Sequence, residues 1–156
     1  MTPNDLALFG SPGAVLTRSF EKLRLQVYLD SMRVPTIGWG HAFFGNTAPP
    51  VGTAYSIDQC QVLFLEDYRS ALKDFDDLVA GGQLPTGLDP VRKDALVDML
   101  FNLGRKKFLA FNRMRHELNT GDFPEAAAEA KDSAWYKQTT RRAPVIVAMI
   151  KTGKRN

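Results

Sequence analysis

Cysteine and long apolar runs are scarce in this chain, and so is any strong excess of one charge. Cys60 stands alone, so no internal disulfide can form, which fits folding in a reducing compartment. Its neighbours Gln59 and Gln61 place it on a helix, where a buried packing thiol is the expected role. No apolar run approaches the about 20 residues of a membrane span. The opening "MTPNDLALFG" lacks both the basic start and the apolar core of a signal peptide. The expectation is a protein made in a cytoplasm, without stable membrane insertion, that needs another agent to release it if its target lies outside. Lys and Arg number 20 against 17 Asp and Glu, a net charge of +3. So mild an imbalance favours polyanions such as cell-wall polymers, phosphorylated lipids or nucleic acid without choosing among them. A nucleic-acid reader gathers its cations on one face. Here Arg105 to Lys107, Arg141 with Arg142, and the tail Lys151, Lys154 and Arg155 read as solvated helix ends, so no nucleic-acid partner is expected.

What is present is the profile of a globular protein: 156 residues, 44% apolar and 24% charged, enough for a core that needs no metal or disulfide staple. Ser11-Pro12 opens a helix, expected to end near Lys22 or Leu23. The period then changes to two, with Leu23, Leu25 and Val27 alternating against Arg24, Gln26 and Tyr28 as a strand. A turn over 29–33 leads to a return strand carrying Val34, Thr36 and Gly38. A poorly periodic loop, 43–55, follows. Ser56 with Gln59 forms a capping box for the longest helix, about 57–79, closed by Gly81-Gly82. Asp89-Pro90 starts another helix that runs to Leu103. Shorter helices are expected at about 106–119, 124–132 and 140–151, the last capped by Thr139 or Thr140 because Pro144 is tolerated only in a first turn. The pattern is α+β and mostly helical. A small N-terminal lobe carries a β-hairpin or sheet, a long helix connects it to a C-terminal helical lobe, and a cleft lies between the lobes.

Polar chemistry concentrates in "SFEKLRLQVYLDSMRVPTIGWGH", residues 19–41. Glu21 sits at the expected helix end among Phe20, Leu23 and Leu25, surroundings that favour a protonated acid. Asp30 lies in the hairpin turn, where solvent favours the carboxylate. Opposed environments suit one acid and one base. Thr36, across the hairpin, has a hydroxyl that donates one hydrogen bond and accepts another, as needed to hold a water beside a carboxylate. A helix-end Glu, a turn Asp and a strand Thr each also have an ordinary structural reading. "GWGH" lacks the third glycine and the following helix of a nucleotide loop, so its glycines let a strand bend or a group approach the backbone. His41 with Glu21 and Asp30 is a weak metal set at irregular spacing, and an ion pair is the better reading. His116 belongs to a charged helix face.

The same stretch resembles the lysozymes of T-even-type bacteriophages and related endolysins. These share a Glu, eight residues, an Asp, five residues, a Thr and an Ile-Gly-x-Gly-His ending, which Glu21, Asp30, Thr36 and Ile37 to His41 match without a gap. The likeness continues in "LDPVRKDALVDMLFNLG", in "FPEAAAEAKDSAWYKQTTRRA" and in "IKTG". It is weakest from Phe44 to Tyr55.

The resemblance implies a single lysozyme domain over 1–156, with the small lobe at about 12–56, the connecting helix at 57–80 and the helical lobe at 81–156. It implies a muramidase that hydrolyses the β-1,4 bond between N-acetylmuramic acid and N-acetylglucosamine in bacterial peptidoglycan with inversion. Glu21 would be the general acid, Asp30 the second carboxylate, and Thr36 a partner in placing the water. His41 would pair with Asp67 as structural support, and Arg142 would approach Glu21. Phe101 and Asn102 would line the cleft. Ala42, Met114 and Glu129 align with substrate contacts but differ in type. No cofactor and no metal is implied. The expected protein is a monomer that stays in the host cytoplasm until a separate holin-type pore lets it reach the wall. A lytic domain used by a virion during entry, and a wall-binding module without turnover, are the competing roles.

Overall fold

The computed structural model describes residues 1–155. It is mostly helical, with one small antiparallel sheet near the N-terminus. The chain forms two compact units, residues 1–69 and the residues from Ser70 onward.

The first unit opens with a helix the sequence reading did not include, α1 (Pro3–Phe9). Its signal was local. Thr2 Oγ1 accepts from the Asp5 amide at 3.1 Å, the Asp5 carboxylate accepts from the Thr2 amide at 2.8 Å, and Pro3 stands in the first turn, which is a capping box. The Thr2 amide and the Arg69 guanidinium hold the Asp5 carboxyl down to about 2, and Asp5 and Arg69 form an ion pair. Helix α1 buries none of its own residues. It is fastened by Phe9, whose ring meets Trp39 and Phe64 edge-on at 5.8 and 5.9 Å. The Arg18 guanidinium stacks 3.5 Å from the Phe9 ring centre and donates to the Phe9 carbonyl at 2.6 Å.

Helix α2 (Pro12–Phe20) follows. Ser11 precedes it, but its hydroxyl donates back to the Leu8 carbonyl at 2.7 Å rather than capping α2. The helix stops at Phe20, earlier than expected, and hands Glu21 to extended backbone.

Strands β1 (Arg24–Leu29), β2 (Pro35–Gly38) and β3 (His41–Ala42) form the sheet in that order. Tyr28 faces Thr36 and Leu29 faces Pro35, while Thr36 in turn faces Ala42. The expected alternation of Leu23, Leu25 and Val27 holds only in part: Val27 is 2% exposed, but Leu25 is 43% exposed. The register slips between Arg24 and Tyr28, a bulge that interrupts the strict period of two. The poorly periodic loop covers the other edge of β1. Val27 donates to the Thr53 carbonyl at 2.9 Å, Tyr55 donates to Leu25 at 2.8 Å, and Gln26 bridges Ala54, so this edge is not left open for pairing with another chain. Beneath the sheet, Val27, Ile37 and Cys60 form a core, with Leu23, Trp39, Phe43, Tyr55 and Leu63 packed around it.

Cys60 belongs to α3 (Ile57–Ala80), the longest helix. It opens on the expected box: the Gln59 amide donates to Ser56 Oγ at 3.1 Å, and Gln59 Oε1 accepts from the Ser56 amide at 2.8 Å. Burial pushes the Cys60 thiol up, which keeps it a packing group.

The second unit is built around α4 (Pro90–Leu103), capped by Asp89 Oδ2 accepting from the Arg92 amide at 3.0 Å. Ala95 through Leu100 are all buried, so this helix is enclosed on every side rather than amphipathic. The expected helix over 106–119 is two pieces, α5 (Arg105–Leu109) and α6 (Asn112–Thr120). No proline or glycine marks the break. It is closed from a distance by Arg115, which donates to the Leu109 carbonyl at 2.8 Å and to Asn112 Oδ1 at 2.7 Å. The break buries Phe108 completely and sets Phe111 edge-on to Trp135 at 6.0 Å.

Helix α7 (Phe123–Lys131) packs on α6 and on α9 (Arg142–Thr152), which also lies on α4. Between them comes α8 (Ala134–Gln138), also unforeseen, capped by Ser133 Oγ accepting from the Tyr136 amide at 3.1 Å. Thr139 does not cap α9. Its hydroxyl donates to the Trp135 carbonyl at 2.7 Å, and the residue before α9 is Arg141, without a side-chain cap.

Arg92 closes the far end of α9. It donates to the carbonyls of Ile150 at 2.7 Å and Lys151 at 3.1 Å, pairs with Asp89 at 2.9 Å and stacks 3.7 Å from the Phe123 ring centre. These carbonyls are the unsatisfied acceptors every helix end leaves, and a cation there also suits the helix dipole. Arg92→Ala should cost about 1.5–3 kcal/mol, the scale of charge-assisted hydrogen bonds, read as a lower urea midpoint with an unchanged slope.

Candidate active site

Glu21 is the residue at which α2 gives way to extended chain, at φ −103° and ψ 127°. Its amide donates to the Arg18 carbonyl at 3.1 Å, which fixes the origin of the side chain, and it is half-buried. Nine residues on, Asp30 organises the hairpin turn. Its backbone amide donates to the Val34 carbonyl at 3.0 Å, and its carbonyl accepts from the Arg33 amide at 2.9 Å. Its Oδ1 accepts from the amides of Met32 and Val34, both at 2.8 Å. Those two bonds close the turn and stabilise Arg33 at φ +62°, a conformation a β-carbon disfavours. With Oδ1 occupied, Oδ2 is the carboxylate oxygen outside those two turn bonds.

Thr36 is buried, and its hydroxyl donates to the Val34 carbonyl at 2.8 Å. The proton is committed there, so the lone pairs of Oγ1 are what the hydroxyl has to offer. Tyr28 lies directly across from Thr36 in the sheet. Burial raises the Tyr28 phenol, and the negative charges of Glu21 and Asp30 raise it further, against the opposing Arg24 guanidinium that stacks 4.4 Å from its ring centre. One phenol therefore feels both carboxylates. Tyr28, which the sequence analysis does not select, therefore lies opposite Thr36 and within electrostatic range of Glu21 and Asp30. Its only sequence signal was its place two positions before the turn aspartate.

His41 begins β3, and its Nδ1 lies 2.9 Å from Asp67 Oδ2 on α3. The hydrogen bond to Asp67 pushes His41 up from its ordinary 6.5, with burial opposing and the charges of Asp67 and Glu66 adding to the rise. Because the folded value lies above the unfolded one, the stabilisation is fully present below 6.5 and is lost as pH climbs through the raised value. Asp67→Asn should therefore lower the melting temperature at a pH of about 5, with the gap to the native protein shrinking toward a pH of about 9. Among the described residues, no group of three or more His, Cys, Asp or Glu is arranged to hold a metal ion.

Ala42 is in β3 against Thr36. Phe101 and Asn102 sit near the end of α4, both half-buried. The Asn102 amide oxygen accepts from Trp135 Nε1 at 2.9 Å. Met114, on α6, is fully buried. With Glu129 of α7 it lines a groove of about 450 Å³ that also includes Phe111, Asp132 and Trp135. Arg142, at the start of α9, places its Nε 3.1 Å from Asp98 Oδ2. His116 is exposed, as its charged helix suggests.

Comparison with known proteins sets this geometry in context. The family model described as phage lysozyme matches residues 18–149. The pre-baseplate central spike protein Gp5 of Enterobacteria phage T4 is 28% identical over 158 aligned positions, covering 90% of this chain but only 28% of that protein. A probable T4-type lysozyme of Dictyostelium discoideum is 26% identical, with 85% of this chain and 89% of that protein covered. The endolysin of Salmonella phage P22 is 31% identical, with 77% of this chain and 78% of that protein covered. The matched span takes in the end of α2, the whole sheet and the helices up to α9, and with it Glu21, Asp30 and Thr36: the chain belongs to the phage lysozyme family.

Proposed function

We propose that the protein is a muramidase that hydrolyses the β-1,4 bond between N-acetylmuramic acid and N-acetylglucosamine in bacterial peptidoglycan. The observation that carries this reading is the match of the phage lysozyme family model over residues 18–149, which takes in Glu21, Asp30 and Thr36. Glu21 donates its proton to the glycosidic oxygen as the bond breaks, relieving the leaving sugar of negative charge. A water bound to Asp30 Oδ2 and to the lone pairs of Thr36 Oγ1 gives both its hydrogens to acceptors. Its own lone pair is then directed at the anomeric carbon, and Asp30 takes up the proton released. Water entering opposite the leaving group inverts the anomeric centre. By the resemblance, Phe101, Asn102, Ala42, Met114 and Glu129 are the proposed substrate contacts. His41 with Asp67, and Arg142, hold the framework. The protein acts as a monomer on the wall, without a cofactor.

Mass analysis of digested wall tests the reaction type. Hydrolysis yields a reducing muramic acid end, whereas a 1,6-anhydro ring would mean transglycosylation and intact glycan would mean a binding module. Proton NMR of the first-formed anomer then tests inversion.

The proposed setting is release from an infected cell: the chain waits in the host cytoplasm until a separate pore admits it to the wall. Among the described residues, no helix is long and apolar enough to cross a membrane. The likeness to a central spike protein favours a second setting, wall opening by a virion during entry. Protein mass spectrometry of purified particles separates the two, since an endolysin is absent from them.

A further inference from the structure

The two glycines of "IGWGH" have different neighbours. Gly38 has φ +66°, and a β-carbon on it would lie 3.2 Å from Cys60 Cβ and 3.3 Å from Cys60 Sγ. Its bare Cα lets β2 seat on α3. Gly40 has φ +80°, and a β-carbon there would lie 3.0 Å from Glu21 Oε2, 3.3 Å from Cδ and 3.7 Å from Oε1. The whole carboxyl group, not one flexible tip, faces this backbone. Gly45 at φ +83° and Gly52 at φ +92° have nothing within 4 Å of that position, so their backbone angle alone accounts for them. At Gly40 the angle favours glycine, and a side chain would in addition have to displace the Glu21 carboxyl.

We propose that Gly40 is a positioning residue for Glu21. The side chain of Glu21 starts from a fixed point at the end of α2, and its carboxyl rests against the bare Cα at position 40, which sets where the proton is delivered. A methyl group there would compete with the carboxyl for the same space and turn it away from the glycosidic oxygen. The inference rests on the reading of Glu21 as proton donor.

Gly45→Ala supplies the matched control, because it carries the same left-handed strain with open space around it. Gly45→Ala should lower the melting temperature and keep kcat on soluble wall fragments. Gly40→Ala should lower kcat by about a hundredfold, the scale for misplacing a reacting group by about 1 Å, with KM little changed. A second measurement needs no activity. In a Glu21→Ala background the competing carboxyl is gone, so Gly40→Ala should lower the melting temperature less than it does in the native protein. If Gly40→Ala alone fails to fold, folding of the Glu21→Ala/Gly40→Ala double variant supports the proposal, and failure of the double variant overturns it. Equal thermal losses in the two backgrounds, or a kcat for Gly40→Ala matching that of Gly45→Ala, would also overturn it. A native protein without wall hydrolysis would remove the proton-donor reading, and the thermal coupling would still decide whether Gly40 positions Glu21.

Discussion

Replacing Glu21 by Gln should cut wall hydrolysis by about 10²–10⁴-fold, the range that a positioned general acid contributes, while the melting temperature stays close to native. Gln has the volume of Glu, so the amide fits against Gly40, where a β-carbon would have come within 3.0 Å of the carboxyl. What it lacks is a transferable proton. The leaving sugar oxygen would depart as an anion, and only the water-activating half of the site would remain. The assay is release of reducing sugar from purified wall under single-turnover conditions, run beside a thermal melt. Substantial activity in a folded variant would take Glu21 out of the acid role. Asp30→Asn makes an informative companion, because its amide can still accept the Met32 and Val34 bonds that close the turn but takes up no proton. Its loss should therefore be one of rate, with the hairpin intact.

The largest expected effect on stability belongs to Asp98. It is fully buried in the enclosed stretch of α4, and its Oδ2 lies 3.1 Å from Arg142 Nε, itself nearly buried. Arg142 opens α9, where a cation meets the positive end of the helix dipole. The Asp98 carboxylate offsets that repulsion as well as the cost of desolvating the guanidinium. Asp98→Ala removes the anion and leaves the cation inside, which should cost about 3–5 kcal/mol, read from urea unfolding followed by circular dichroism. Asp98→Asn keeps an acceptor of the same shape and should lose less. Adding Arg142→Met to Asp98→Ala should cost less than the two separate losses together. Strict additivity would mean that the two side chains do not depend on each other.

The sequence disclosed most wherever a signal and its structural effect lie within three or four residues of each other. Ser56 with Gln59 and Asp89-Pro90 placed the starts of α3 and α4 because a cap acts on the first turn beside it. The same kind of signal stands at Thr2 and Asp5, but the sequence analysis did not take it up and so missed α1. The break at Leu109 to Phe111 was not legible, since the group that closes it, Arg115, acts from the next turn of a separate helix. The covered edge of β1 was equally hidden, because its partner segment at 53–55 has no strand periodicity and is held by backbone bonds alone.

The site divides in the same way. The order and spacing of Glu21, Asp30 and Thr36 are properties of the chain itself, and so is the supply of an acid, a second carboxylate and a hydroxyl. That Tyr28 feels both carboxylates, that the Thr36 proton is spent on Val34, that Gly40 lies bare against Glu21 and that Asp98 waits for Arg142 were decided by tertiary structure. Each brings together groups whose distance depends on how the strands and helices close on one another, and burial and charge act through space rather than along the chain.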